Sequence, residues 1–241
     1  MQKRLTMLDL FSCVGAHALG AEAAGWDVVQ LCESVPFRRE ILAELFEGVP
    51  IADDVNTMCA RPALAAFGGP PCQKTSRAAA IHGKRSGASL WPAMRKRIHE
   101  AGCDWVIVEQ PDGNAAWEAG VQEDLASDRF FVARFEYGAS DVGAPYPRRR
   151  VYIVACTSRE RLALARQALP QEIERISRAA DAGASWCTDQ LASLPVVARD
   201  AGEMDRGPQG RRRKALIEAL GDSNPPQMAE AICAAVAKAA A

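Results

Sequence analysis

The sequence predicts an α/β fold, a doubly wound and mostly parallel sheet, and three observations predict it. Short, near-continuous apolar runs such as LTMLDLF (5–11), WVIVEQ (105–110) and RVYIVAC (150–156) alternate with stretches of helical character. Runs of this kind suit strands buried on both faces, the condition of a parallel sheet covered by helices on either side. Polar or reactive groups then recur where the runs end, on the edge where such sheets bind ligands.

Taken in order, the run at 5–11 is expected to be the first strand, and His17 to Ala24 a helix closed by Gly25 at its C-terminal cap. DVVQLCE (27–33) reads as the second strand and Pro36 to Phe46 as the helix after it. A short strand is expected near Ile51 to Val55, and another within ALAAFGG (63–69). Leu90 to Ala101 fits a helix, since Pro92 falls in the first turn where proline is tolerated. WVIVEQ is an apolar strand that ends abruptly in polar residues, and Ala115 to Ala126 is helical. FFVARFEYG (130–138) and RVYIVAC follow as strands, then Arg159 to Ala180 as a long helix interrupted by Pro170. From about 181 to 213 the pattern dissolves into Gly, Asp, Pro and Arg, and an alanine-rich helix over Pro226 to Ala239 carries the chain onward. The expected organisation is a main domain over 1–157, a small irregular subdomain over 158–214, and a segment over 215–241 returning to the main domain.

Composition narrows the functional classes. With 241 residues, 49% of them apolar and 24% charged, the chain can bury a sizeable core. A formal charge of -1 provides no whole-molecule field for nucleic acid, so phosphate contacts would have to come from local clusters: Lys84-Arg85, Arg95 to Arg97, Arg148 to Arg150 and Arg211 to Lys214. The eight cysteines form no CxxC pair and no Cys/His metal spacing, which points to thiols in a reducing compartment and to no metal. No apolar run reaches membrane-spanning length and MQKRLTMLDLF does not read as a signal peptide, so a cytoplasmic protein without membrane contact is expected. A monomer is expected.

The strand ends carry the chemistry. Asp9 lies at the end of the first, Glu33 ends the second, Asp54 follows the third, Cys72 the fourth and Glu109 the fifth. The loop after the first strand, with Gly15 and Gly20, is neither GxGxxG nor a P-loop, which favours a nucleotide cofactor without a bound phosphate chain. A carboxylate ending the second strand suits a ribose diol, because it can accept from both hydroxyls. GGPPCQKTS (68–76) holds a thiol behind two prolines that stiffen the backbone and two glycines that allow close approach, which taken alone reads as a buried structural cysteine in a proline turn.

The order of these motifs resembles the cytosine-C5 DNA methyltransferases. DLFSCVGAHALGAEAAG is similar to the family's cofactor loop, GGPPCQKTS to its nucleophile loop, RSGASLW (85–91) to its cofactor-side helix start and VEQP to its Glu-Asn motif. PRRRVYIVA (147–155) is similar to its QxRxR strand, and GDSNPPQMAEAI (221–232) to its GNxxxP return segment. The resemblance implies a Rossmann-like fold of the S-adenosylmethionine-dependent methyltransferase type, with a catalytic domain over 1–157 and a small target-recognition region over 158–214. It implies methyl transfer from S-adenosylmethionine to C5 of a cytosine flipped out of double-stranded DNA, through a covalent bond from Cys72 to C6. Glu109 would act at N3, with Arg150 on the base carbonyl and Arg148 on neighbouring groups. Cofactor contacts are implied for Asp9, Phe11 (adenine), Ser12 and Gly15 (methionine end), Glu33 (ribose), Asp54 (adenine amino group), Leu90 with Trp91, and Ser223. Arg199, Arg206 and Arg211 to Arg213 would reach DNA. Cys13, Ala16, Gln110 and Asp222 depart from the family pattern, which leaves two alternatives: a weak or silent DNA-binding relative, or a tRNA cytosine-5 methyltransferase. The recognition sequence, a restriction-modification or phage-protection role, and the base that removes the C5 proton are not legible.

Overall fold

A computed structural model describes residues 4–71, 89–181 and 222–240. Seven strands form one sheet: β1 (Thr6–Leu10), β2 (Asp27–Cys32), β3 (Ile51–Ala52), β4 (Ala65–Gly68), β5 (Trp105–Pro111), β6 (Phe131–Gly138) and β7 (Arg149–Cys156). Their spatial order is β3-β2-β1-β4-β5-β7-β6. The pairs β1/β2, β1/β4, β2/β3 and β4/β5 are parallel, and β7 runs antiparallel to both of its neighbours. The sheet is therefore mostly parallel, as expected, with one reversed strand. Strand order changes direction between β1 and β4, the crevice where open α/β sheets take their ligands.

Among the described residues six helices flank the sheet: α1 (Ala16–Ala23), α2 (Pro36–Leu45), α3 (Trp91–Ala101), α4 (Ala115–Ser127), α5 (Arg159–Asp181) and α6 (Pro226–Ala240). Side-chain alternation along the strands sorts the core into two layers. Met7, Phe67, Trp105, Ile107 and Val154 pack with α1, α5 and α6, whereas Leu8, Ala66, Val106, Val108 and Ile153 pack with α3 and α4.

Two local departures from the expected elements have visible causes. The third strand stops at Ala52 because Asp54 Oδ1 accepts the backbone N–H of Asn56 at 2.8 Å, an Asx-type turn that takes the backbone out of the ladder. The helix from Arg159 runs unbroken through Pro170. Leu162, Ala165, Leu169, Ile173 and Ile176 bury one continuous apolar face against the core, and that burial outweighs the hydrogen bond proline removes.

Among the described residues, no helix is long and apolar enough to cross a membrane, and no group of three or more His, Cys, Asp or Glu could hold a metal ion.

Candidate functional site

The carboxyl ends of β1, β2, β4 and β5 open into a cavity of about 530 Å³. Phe11, Ser12, Glu33, Asp54, Leu90, Glu109, Arg148, Arg150 and Ser223 all line it. Nine of the expected site residues thus converge from seven segments distant in sequence. Cys72 lies outside the described residues, as do Lys84-Arg85, Arg199, Arg206 and Arg211 to Lys214. Pro70 and Pro71, which lead directly to Cys72, line the same cavity.

The loop after β1 is strained where it meets the cavity. Phe11 and Cys13 take φ of 61° and 52°, left-handed values unusual for residues with a Cβ, and they swing Ser12 between them. Cys13, which stands where the family pattern has glycine, therefore does adopt the glycine-like conformation. Ser12 is fixed from both sides: its N–H donates to the Cys32 carbonyl at 2.9 Å and its Oγ donates to the Asp9 carbonyl at 3.0 Å. Burial pushes the Cys13 thiol up to about 12, so it stays protonated.

Glu33 is buried and oriented by backbone. Its Oε2 accepts the Cys13 N–H and its Oε1 the Val35 N–H, both at 2.8 Å, so each oxygen keeps a lone pair for a ligand. Asp54 sits at the rim, held below the usual carboxylate range by the backbone and side-chain donors of Asn56. Phe11, Val35, Val55 and Leu90 supply apolar wall between these acids. Carboxylates for hydroxyls and an amino group, set between apolar faces, fit an adenosine moiety.

Two expected cofactor residues lie behind the cavity wall. Asp9 is fully buried, and its Oδ1 faces His17 Nδ1 at 3.4 Å. His17 itself lines the cavity, stacked on Phe67 with ring centroids 4.0 Å apart. Gly15 points away: a Cβ there would stand 2.6 Å from Phe46 Cε2, and its φ of +84° also favours glycine. Trp91 belongs to the core, its indole N–H donating to Asp124 at 2.8 Å.

At the other end of the cavity β5 and β7 bring a buried acid to a cation. Glu109 pairs with Tyr152 across the ladder, and Arg150, two residues along β7 on the same face, meets it diagonally. Arg150 Nε lies 2.7 Å from Glu109 Oε1, an ion pair whose angle is too poor for a hydrogen bond. Arg148 Nε donates to Asn224 Oδ1 at 3.1 Å, while burial and the neighbouring Arg150 lower its pKa. Gly69 closes the floor: a Cβ there would lie 2.8 Å from Glu109 Oε2. Gln110, standing where the family pattern has Asn, is buried and donates its amide to the Pro70 carbonyl, tying β5 to the proline pair.

The sequence did not single out His17, Arg38, Asp53 or Asn224, all of which line the cavity. Asn224 follows Ser223 in the return segment and could have been read there, whereas Arg38 looks like any exposed helix residue. Conversely, two residues of the Arg95 to Arg97 cluster serve the fold rather than a phosphate groove. Arg95 binds Asp124 and Asp128, and Arg97 is buried against the Met58 carbonyl and Glu100.

The family model for C-5 cytosine-specific DNA methylases matches residues 5–183. Solved structures share the fold at low identity. A protein described as a DNA modification methyltransferase encoded within an E. coli prophage is 24% identical, with a TM-score of 0.51 over 63% of this chain and 46% of its own. A DNMT2 mutant from Spodoptera frugiperda is 18% identical, with a TM-score of 0.52 over 63% and 49%. The methyltransferase EhMeth of Entamoeba histolytica is 14% identical, with a TM-score of 0.54 over 66% and 55%. The chain thus spans about half the length of the solved structures it matches. No curated protein matches in sequence.

Proposed function

The chain belongs to the C-5 cytosine-specific DNA methylase family, and from that premise we propose that it transfers a methyl group from S-adenosylmethionine to C5 of a cytosine in double-stranded DNA. The observation that carries the reading is one cavity holding two chemically different ends. Glu33 and Asp54 lie among apolar walls at one end, and the Glu109–Arg150 pair lies beside the Pro70–Pro71 approach to Cys72 at the other.

Glu33 would hold the ribose, Phe11 and Leu90 would flank the adenine with Asp54 on its amino group, and Ser12 and Ser223 would bound the methionine end. Asp9 and Gly15 act from behind the wall, by fixing the loop that carries Phe11 and Ser12. When bound, the cofactor supplies an electrophilic methyl group on a sulfonium. The chain's own residues make the base reactive. Cytosine C5 is a poor nucleophile, so the Cys72 thiolate adds to C6 and N3 takes a proton, leaving an enamine whose C5 carries the electron pair. Entry of the base splits the Glu109–Arg150 pair: the guanidinium turns to the base carbonyl and the carboxyl group to N3, so neither is left unpaired in a buried site. Once C5 has taken up the methyl group, loss of the C5 proton to a base expels the Cys72 thiolate, and N3 returns its proton, which restores the aromatic ring. The target leaves its stack for this, at a cost of about a few kcal/mol, which phosphate contacts offset in a salt-dependent way. Target recognition is assigned to 158–214, of which α5 packs into the core. The arginines between 199 and 213 are left to meet DNA.

Incubation with S-adenosylmethionine and mixed-sequence duplexes carrying 5-fluorocytosine tests the reading, because fluorine at C5 cannot leave as a proton does. A covalent adduct that forms with the parent and not with Cys72→Ala is the expected result. Absence of an adduct with tight cofactor binding would leave a DNA-binding relative without catalysis, and labelled methyl transfer to tRNA instead of duplex DNA would change the substrate.

A further inference from the structure

We propose that Arg38 and Asp222 together form the receptor for the α-amino-acid end of the cofactor, the guanidinium taking the carboxylate and the aspartate the ammonium. This rests on the cofactor reading above and assigns residues that the sequence left out or counted as a defect.

Arg38 rises from α2 and Asp222 stands just ahead of Ser223, so the pair joins two segments 184 residues apart across the cavity wall. Nη2 of Arg38 lies 2.5 Å from Asp222 Oδ2. The arginine side chain is 18% exposed and the aspartate 64%. A pair with one partner this wet is weakly held, so exchange for an incoming zwitterion is cheap. The desolvated guanidinium keeps a planar fork of donors that matches a carboxylate. It donates to Asp222 through Nη2.

The rest of the cavity leaves little else for an anionic group. Its acids are Glu33, Asp53, Asp54, Glu109 and Asp222, against Arg38, Arg148 and Arg150. Arg150 is paired with Glu109, and Arg148, held to Asn224 through Nε with its Nη2 unpartnered among the described residues, stands beside it at the β5–β7 end where the base is placed. The backbone after β1 is also largely occupied, because the N–H groups of Ser12, Cys13 and Gly15 donate to Cys32, Glu33 and Ser12 respectively. Arg38 is therefore the cation at the end of the cavity that carries Cys13 and Glu33. Asp222, which would repel a carboxylate if it stood alone, arrives already neutralised and presents an acceptor to the ammonium beside it.

Titration calorimetry with S-adenosylhomocysteine and with 5′-methylthioadenosine, which lacks the amino-acid end, separates the outcomes. Arg38→Ala is expected to weaken S-adenosylhomocysteine at least 30-fold and methylthioadenosine less than twofold. Asp222→Asn is expected to weaken S-adenosylhomocysteine about tenfold with the same indifference to methylthioadenosine, and Arg38→Lys to fall between. Equal losses for both ligands, or none for either, overturn the assignment while leaving the cofactor reading intact. A parent protein that binds neither ligand overturns both. Should Arg38→Ala fail to fold, Asp222→Asn and Arg38→Lys decide by the same ratio.

Discussion

Gly69 and Glu109 show how closely single atoms are fitted in the cavity. A methyl group at Gly69 would stand 2.8 Å from Glu109 Oε2 and must push the carboxylate off its place against Arg150. Gly69→Ala is therefore expected to lower methyl transfer about tenfold or more with cofactor affinity unchanged, which turnover and binding assays on the same preparation check. Glu109→Gln keeps the shape and removes the acid, so transfer should fall about 100-fold while the fold stands. Both expectations concern residues legible from the sequence, because a carboxylate closing WVIV and a glycine before two prolines announce themselves by position. Arg38 and His17 do not. Each sits on a helix whose spacing says only that some face is buried, and their places in the cavity are set with Asp222 and Asp9, 184 and eight residues away.

At the scale of elements, packing sets the tolerances. Gly20 on α1 faces α6 so closely that a Cβ would lie 2.3 Å from the Pro226 carbonyl oxygen and 2.5 Å from the Glu230 nitrogen. Backbone cannot yield as a side chain does, so Gly20→Ala should destabilise the protein by about 3 kcal/mol in urea unfolding. Between α3 and α4, hydrogen bonding to Arg95 leads the effects that hold Asp128 below the usual carboxylate range, with His99 assisting. A depressed pKa contributes stability above the unfolded value, about 3.9, that is lost as pH falls through the folded one. Asp128→Asn should therefore lower the urea midpoint at pH 7 and flatten its decline below pH 4. Helix starts and ends were legible where proline or glycine punctuated them, as at Pro36, Pro92 and Gly25. The continuity of α5 through Pro170 was not, since a local rule that breaks helices was overridden by an apolar face whose partner, α6, lies beyond residue 225.

Across the whole molecule, a last helix completes a core that begins at the first strand. Met228, Ala229, Ile232, Cys233 and Val236 share one buried layer with Met7, Trp105 and Tyr152, and Trp26 donates its indole N–H to the Cys233 carbonyl at 3.0 Å. Removal of residues 226–241 should abolish cooperative unfolding, read by near-ultraviolet dichroism against temperature. The doubly wound architecture was legible because most strands are near-continuous apolar runs separated by helical stretches. The reversal of β7 was not, because burial on both faces reads the same whichever way a strand points. The return of the chain at 222–224 carries a further consequence. Asp222 grips Arg38 and Asn224 grips Arg148, so the point where the 182–221 stretch re-enters the fold is anchored to two walls of one chamber. Under the proposed function, occupancy of that chamber and engagement of a duplex are expected to be linked equilibria, and whatever factor one imposes on the other is returned in equal measure.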